Sequence, residues 1–248
     1  MRVGLFVPCY VDQLAPSVGL ASLELLESRG VEVDFPQRQG CCGQPFASAG
    51  AGDEAARLAR RWLDVFEPYE HVVCPSASCV ATIRRFPASL AHDPRARALA
   101  ARTHELCAFL TEVLGLTTAR GSFPHRVGIH GSCHALRELR QGPTTEIAGE
   151  RPDPVRLLLA SLAGIQLVQL ERTDECCGFG GIFAVDEEAV SCRMGRDRLD
   201  DHARGGAEVV TSTDVSCLLH LDGLVRRDGR RLRVLHVAEL LASAERDR

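Results

Sequence analysis

A chain of 248 residues, 45% hydrophobic and 25% charged, has the profile of an ordinary folded protein with room for one large core or two smaller ones. A net charge of −4 and a pI near 6.1 supply no basic surface, which removes the electrostatic footprint of a nucleic-acid binder. All 29 basic residues are arginine, so there is no P-loop lysine for ATP and no lysine for a pyridoxal Schiff base.

From the first residue, "RVGLFVP" (2–8) is a short apolar run that predicts a strand, with no signal peptide or anchor ahead of it. "SVGLASLELLESRG" (17–30) has helical periodicity and stops at Gly30. "VEVDFP" (31–36) alternates as a strand does, and "DEAARLARRWLDVFEPY" (53–69) places Ala55, Leu58, Ala59, Trp62 and Phe66 on one helical face. "HVVCP" (71–75) predicts a third strand. A linking helix is expected around 95–116, and "TTARGSFP" (117–124) is rich in turn formers. The order then repeats. "RVGIHGSCH" (126–134) reads as strand and loop, "DPVRLLLASLAG" (153–164) as helix and "IQLVQLE" (165–171) as strand. "DEEAVSCRMGRDRLDDHARGG" (186–206) is a helix, followed by strands at "EVVTST" (208–213) and "LRVLHV" (232–237). Alternation of this kind predicts an α/β protein with mainly parallel sheets flanked by helices. The repeat divides it into two tandem duplicated domains, 1–118 with the linking helix and 119–248. No apolar run is long enough for a membrane span, and the expected compartment is the cytoplasm.

Eleven cysteines stand out. In a reducing compartment clustered cysteines hold metal or do redox work more often than they form lasting disulfides. Their spacing follows the repeat. Cys9, expected at the end of the first strand, is separated by 31 residues (10–40) from Cys41–Cys42–Gly43, and 36 more (43–78) lead to Cys79. Cys133, expected at a strand end too, is separated by 42 residues (134–175) from Cys176–Cys177–Gly178, and 39 more (178–216) lead to Cys217. Each half thus offers one, two and one cysteines in the same order, and the carboxyl ends of parallel strands gather at one edge of a sheet.

Adjacent residues of a strand point to opposite faces, so two neighbouring cysteines serve one centre only where the backbone turns. Gly43 and Gly178 allow that turn, and Cys79 and Cys217 are expected at helix starts, where backbone N–H groups favour thiolates. Four thiolates are the usual complement of a [4Fe–4S] cluster; zinc also takes four sulfurs, although the CxxC knuckles of structural zinc sites are absent. A vicinal disulfide or plain buried thiols are the other readings of such a pair. Cys74, Cys107 and Cys192 have no counterpart in the other half and are expected to be core thiols. His71, His130, His134, His220 and His236 are scattered and expected to be structural, and Arg137 and Arg140 to lie on a solvated helix face. Gly178, Gly180 and Gly181 lack the GxGxxG spacing of a nucleotide loop.

At "FVPCYVDQLAP", "GCCGQP", "CPSASCV", "HGSCHALREL", "CCGFGGIFAV", "DVSCLLHLDGL" and "LHVAELL" the chain resembles the cysteine-rich CCG-domain family over essentially its whole length. That family includes the catalytic subunit of heterodisulfide reductase and the iron–sulfur subunits of glycolate oxidase and anaerobic glycerol-3-phosphate dehydrogenase. The likeness is greatest to its lactate-utilisation members. It implies an iron–sulfur electron-transfer subunit of a complex oxidising L-lactate to pyruvate, with a ferredoxin-like iron–sulfur protein and a third subunit as partners. One or two [4Fe–4S] clusters are implied, held by Cys9, Cys41, Cys42 and Cys79 and by Cys133, Cys176, Cys177 and Cys217, with zinc in one half as the alternative. A subunit of another 2-hydroxy-acid or glycerol-phosphate oxidase, or a zinc-stabilised interaction subunit without redox role, are the competing functions. The family's fuller motif ends in CxxC; here Ser76 and Asp214 stand where the fifth cysteine of each half would be. That departure counts against the noncubane clusters and disulfide-reductase chemistry of heterodisulfide reductase.

Overall fold

The computed structural model describes residues 1–85, 90, 92–147 and 149–246. The first half runs β1 (Arg2–Leu5), α1 (Cys9–Leu14), α2 (Pro16–Glu27), β2 (Glu32–Asp34), α3 (Gln44–Ser48), α4 (Gly52–Phe66), β3 (His71–Cys74), α5 (Ala77–Arg85), α6 (Pro94–Ala101), β4 (Thr103–Glu105) and α7 (Leu106–Ala108), which continues as a π-helical turn over Phe109–Val113. The second half runs β5 (Arg126–Ile129), a π-helical turn (His134–Glu138), α8 (Pro154–Ala160), β6 (Gln166–Leu167), α9 (Phe183–Asp186), α10 (Glu188–Arg204), β7 (Val209–Ser212), α11 (Val215–Arg227), β8 (Arg233–His236) and α12 (Val237–Arg246).

The strands form two four-stranded sheets, ordered β2-β1-β3-β4 and β6-β5-β7-β8, with every pairing parallel. The α/β architecture and the duplication expected from the sequence are both present. Gly4 pairs with Val72 in the first sheet and Gly128 with Val210 in the second, so even the register repeats.

Three local expectations are corrected. The linking helix at 95–116 is interrupted by β4, because Thr103 and Glu105 pair with Val72 and Cys74 of β3 and tertiary pairing overrides helical periodicity. Arg102, at φ −106° and ψ 16°, ends the helix before it. The strands also stop short of the cysteines. β1 ends at Leu5, and Pro8, whose ring fixes φ near its observed −72° and removes the N–H, makes Cys9 the first residue of α1. β5 likewise ends at Ile129, and Cys133 precedes the π-helical turn.

The halves exchange helices. α12, at the end of the second half, packs on α2 of the first, while α7 of the first packs on α8 of the second. One apolar core therefore runs through both, joining Leu25 and Leu26 of α2, Phe109, Leu158 and Leu159 of α8, and Leu240 and Leu241 of α12. Full burial of each such side chain stabilises by roughly 1.5–3 kcal/mol. At the rim Ser17 Oγ donates to Glu239 Oε1 at 2.7 Å, Arg246 pairs with Glu24 at 3.1 Å, and Arg29 pairs with Glu245.

Glu105 is fully buried at the end of β4, where its Oε2 accepts from Ala108 N at 3.1 Å and starts α7. Burial raises its pKa from 4.5 to about 7. Between those values the folded chain holds a proton that the unfolded chain has released, so stability falls as pH rises through that window and levels off above it. The loss is about 3 kcal/mol by pH 8. Glu105→Gln keeps an acceptor for Ala108 and has no charge to bury. Urea midpoints are expected to be similar for wild type and variant near pH 4.5, with the variant ahead at pH 8; parallel profiles would show that Glu105 does not titrate this way.

Candidate metal centres

The two predicted cysteine sets converge at the carboxyl edges of the two sheets. In the first half the Cys9 thiol lies 3.8 Å from Cys41 Sγ and the Cys42 thiol 3.3 Å from Cys79 Sγ. Cys41 is held low, as a thiolate, by hydrogen bonds from Cys42 and Cys9 and from the Gly43 amide. Cys9 and Cys42 are pushed up in turn, chiefly because they donate to Cys41. The second half repeats this. Hydrogen bonds from Cys133, Cys177 and the Gly178 amide hold Cys176 low, and donation to Cys176 raises Cys133 and Cys177. The first cysteine of each CCG triplet is thus biased toward the thiolate, the form that binds a metal.

The glycine of each triplet makes this arrangement. Gly43 and Gly178 have φ of +90° and +88°, which turns each amide back onto the sulfur two residues earlier, at 3.4 Å from Cys41 Sγ and 3.3 Å from Cys176 Sγ. At Gly178 a Cβ would stand 2.5 Å from Ser191 O, so that loop has no room for a side chain. Cys79 and Cys217 are each the third residue of a helix, α5 and α11, as expected. The exposed N–H groups of a helix start favour the negative charge of a thiolate or cluster.

The sequence treats the two sets as separate cages, yet both face one cavity of about 390 Å³. Its lining includes Cys9, Cys42 and Cys79 from one half and Cys133, Cys176, Cys177 and Cys217 from the other. Two contacts related by the repeat close it. Tyr10, after Cys9, meets Phe179, after the second CCG, edge to face at 6.0 Å. Gln44, after the first CCG, meets His134, after Cys133, at 3.1 Å. Ser76 and Asp214, the two positions lacking a fifth cysteine, meet each other: Ser76 Oγ donates to Asp214 Oδ1 at 3.0 Å, and Ser78 N donates to the same oxygen at 2.9 Å. A carboxyl group of the second half thereby caps α5, which carries Cys79 of the first.

The family model of the cysteine-rich domain, CCG, matches residues 3–84 and 127–222. The chain belongs to the CCG family. Among curated CCG relatives, Lactate utilization protein A of an Exiguobacterium species is 39% identical over 246 residues, covering 97% of this chain and 96% of that one. Lactate utilization protein A of Bacillus subtilis is 37% identical over 247 residues, covering 98% and 100%. Among solved structures, glutamate racemase isoform RacE1 from Bacillus anthracis gives a TM-score of 0.39 at 12% identity over 98% of this chain and 79% of that one, too low to bear on function.

Within the CCG frame the remaining candidates fall outside the two sets of four. Cys107 is fully buried in the shared core, and Cys192, half-buried on α10, packs against an apolar cluster that includes Cys177, Leu199 and Val210. Cys74 is fully buried beside Cys79, closer to the first set than its strand-end position suggests. Arg137 is tied to Glu146 at 2.8 Å and reaches the carbonyl of Asp174, so it braces the loop before Cys176; Arg140 is exposed. His71 meets His104 at a tilt and Phe109 edge to face, and His236 Nδ1 accepts from Ala238 N at the start of α12, at 3.1 Å. His130 is the departure: one of its ring nitrogens and the sulfurs of Cys177 and Cys217 lie within 4.8 Å of one another. The available signal was a polar residue in "RVGIHGSC" where the first repeat, "RVGLFVPC", has Phe6. Among the described residues no helix is long and apolar enough to cross a membrane.

Proposed function

We propose that this chain is an iron–sulfur electron-transfer subunit of an L-lactate-oxidising complex serving lactate utilisation. Its two CCG domains, 1–118 and 119–248, would act in the cytoplasm beside a ferredoxin-like iron–sulfur protein and a third subunit. The observation that carries the reading is the pair of four-thiol sets, built alike, with seven of their eight cysteines lining one cavity. Cys9, Cys41, Cys42 and Cys79 would hold one [4Fe–4S] cluster, and Cys133, Cys176, Cys177 and Cys217 a second. The fit rests on donor chemistry: all eleven cysteines are free, and each set contains a thiol held low by its neighbours. Bound clusters would supply one-electron transfer. The chain itself would supply thiolates, glycine amides directed at sulfur, and a shared cavity that brings the two sets together. The names of the curated relatives support the assignment to lactate rather than to another 2-hydroxy acid.

Zinc in the second half is a second reading, favoured by the nitrogen of His130 beside Cys177 and Cys217, a mixed donor set that zinc accepts. Anaerobic purification with iron, sulfide and zinc analysis, and electron paramagnetic resonance after reduction, separates the two. Iron with a cluster signal is expected. The sequence carries no nicotinamide or flavin fingerprint for accepting hydride, so the purified chain is expected to leave L-lactate unchanged with a dye acceptor and to support turnover once the partner subunits are added. Zinc without iron, or full turnover by the chain alone, would overturn the proposal.

A further inference from the structure

The two halves differ in what stands behind their cysteines. His130 and Phe6 each lie three residues before the first cysteine of their half, Cys133 and Cys9. Gly43 packs on Ala55 of α4 as Gly178 packs on Ser191 of α10, and counting along the helices from that contact sets Trp62 opposite Arg198 and Phe66 opposite His202. In the first half these positions form an aromatic cluster, with Phe6 meeting Trp62 at 5.7 Å and Phe66 at 5.4 Å, both edge to face. The second half has a buried polar group there. Arg198 is fully buried, is anchored by the carbonyls of Arg172 and Thr173 and by Asp201, and its Nε–H donates to His130 Nδ1 at 3.2 Å.

A guanidinium nitrogen only donates, so Nδ1 of His130 is an acceptor without a proton, and the ring proton of the neutral imidazole is on Nε2. That nitrogen is buried and has no protein hydrogen-bond partner among the described residues. A buried donor left unpaired costs about 1–3 kcal/mol. The nearby acceptors with charge to share are the sulfurs of Cys177 and Cys217.

We propose that, when the second centre is filled, His130 donates its Nε2–H to the thiolate sulfurs there, and that this makes the second centre the more easily reduced of the two. The proposal rests on the iron–sulfur reading above. A hydrogen bond to a ligating sulfur draws off negative charge and favours the reduced cluster, which carries one more electron. Phe6 offers no such bond to the first centre, so an electron entering the shared cavity settles on the second. In this scheme His130 acts as a positioning residue rather than as a ligand.

The test is a potentiometric titration followed by electron paramagnetic resonance on wild type, His130→Phe and His130→Gln. His130→Phe reproduces the first half and is expected to lower the second centre's reduction constant at least tenfold, about 59 mV for one electron. The first centre should not move, iron content should hold, and His130→Gln, which keeps a donor, should recover part of the shift. An unmoved second centre overturns the proposal. So does loss of the second centre's iron in a folded variant together with strong nitrogen coupling in wild type, which would make His130 a ligand. A separate measurement needs neither iron nor a variant: nitrogen-15 spectra of the reduced, metal-free chain should show His130 protonated on Nε2 and bare on Nδ1. The opposite tautomer ends the proposal even if the iron–sulfur assignment stands, and a chain without iron ends that assignment while this tautomer is still read.

Discussion

Replacing Cys176 or Cys177 with serine is expected to remove the second centre and leave the first, with iron per chain falling by about half. Serine nearly matches cysteine in size, so the fold should survive, but its hydroxyl is a poor iron ligand at neutral pH. Cys176 carries the greater burden, since Cys133, Cys177 and the Gly178 amide all direct their hydrogens at its sulfur. Cys41→Ser and Cys42→Ser should act in mirror fashion on the first centre. Cys192→Ser is the control: it lies on α10 against the apolar cluster that includes Cys177 but outside the repeat, and should keep both centres. Iron analysis and spectra after reduction decide the matter. A Cys176→Ser chain with full iron, or a Cys192→Ser chain that loses a centre which Cys217→Ser retains, would show that the repeat has been aligned wrongly.

The second large effect is expected at Asp214. Its side chain is fully buried, yet it serves the other half, accepting from Ser76 Oγ and Ser78 N at the start of α5. Asp214→Ala removes a helix cap and leaves two buried donors without their partner, a loss of about 2–3 kcal/mol in stability. Because Cys79 follows Ser78 directly, the variant should also release iron from the first centre, although the altered residue belongs to the second half. Asp214→Asn retains an acceptor oxygen and should lose less on both counts. Denaturation midpoints and iron per chain are the readouts; an alanine variant as stable and as iron-rich as wild type would mean that the cross-half contact is idle.

Period and spacing made the duplicated α/β pattern legible, because short apolar runs and amphipathic stretches such as 53–69 recur in the same order. The eight cysteines were legible for the same reason, and Gly43 and Gly178 announced a turn that the positive φ values bear out. What stayed hidden depends on distant partners. Thr103–Glu105 become a strand only because β3 lies alongside. That both cysteine sets share a cavity follows from how the halves pack, and the pairing of Ser76 with Asp214 spans 138 residues of chain. In the sequence His130 is one histidine among several; its contact with Arg198, 68 residues away, exists only in the fold.

The exchange of helices bears on the order in which the chain can be completed during synthesis. α2 is made long before its cover, α12, and Ser17 waits for a partner 222 residues downstream. Contacts so distant in sequence are slow to form, and domains otherwise tend to fold from the amino end as they leave the ribosome. Here the leading half would stay open along one apolar face until α12 is made. Metal offered before α12 is made would meet a first cysteine set on an unfinished scaffold, so lasting insertion at both proposed centres is expected only once that helix is in place.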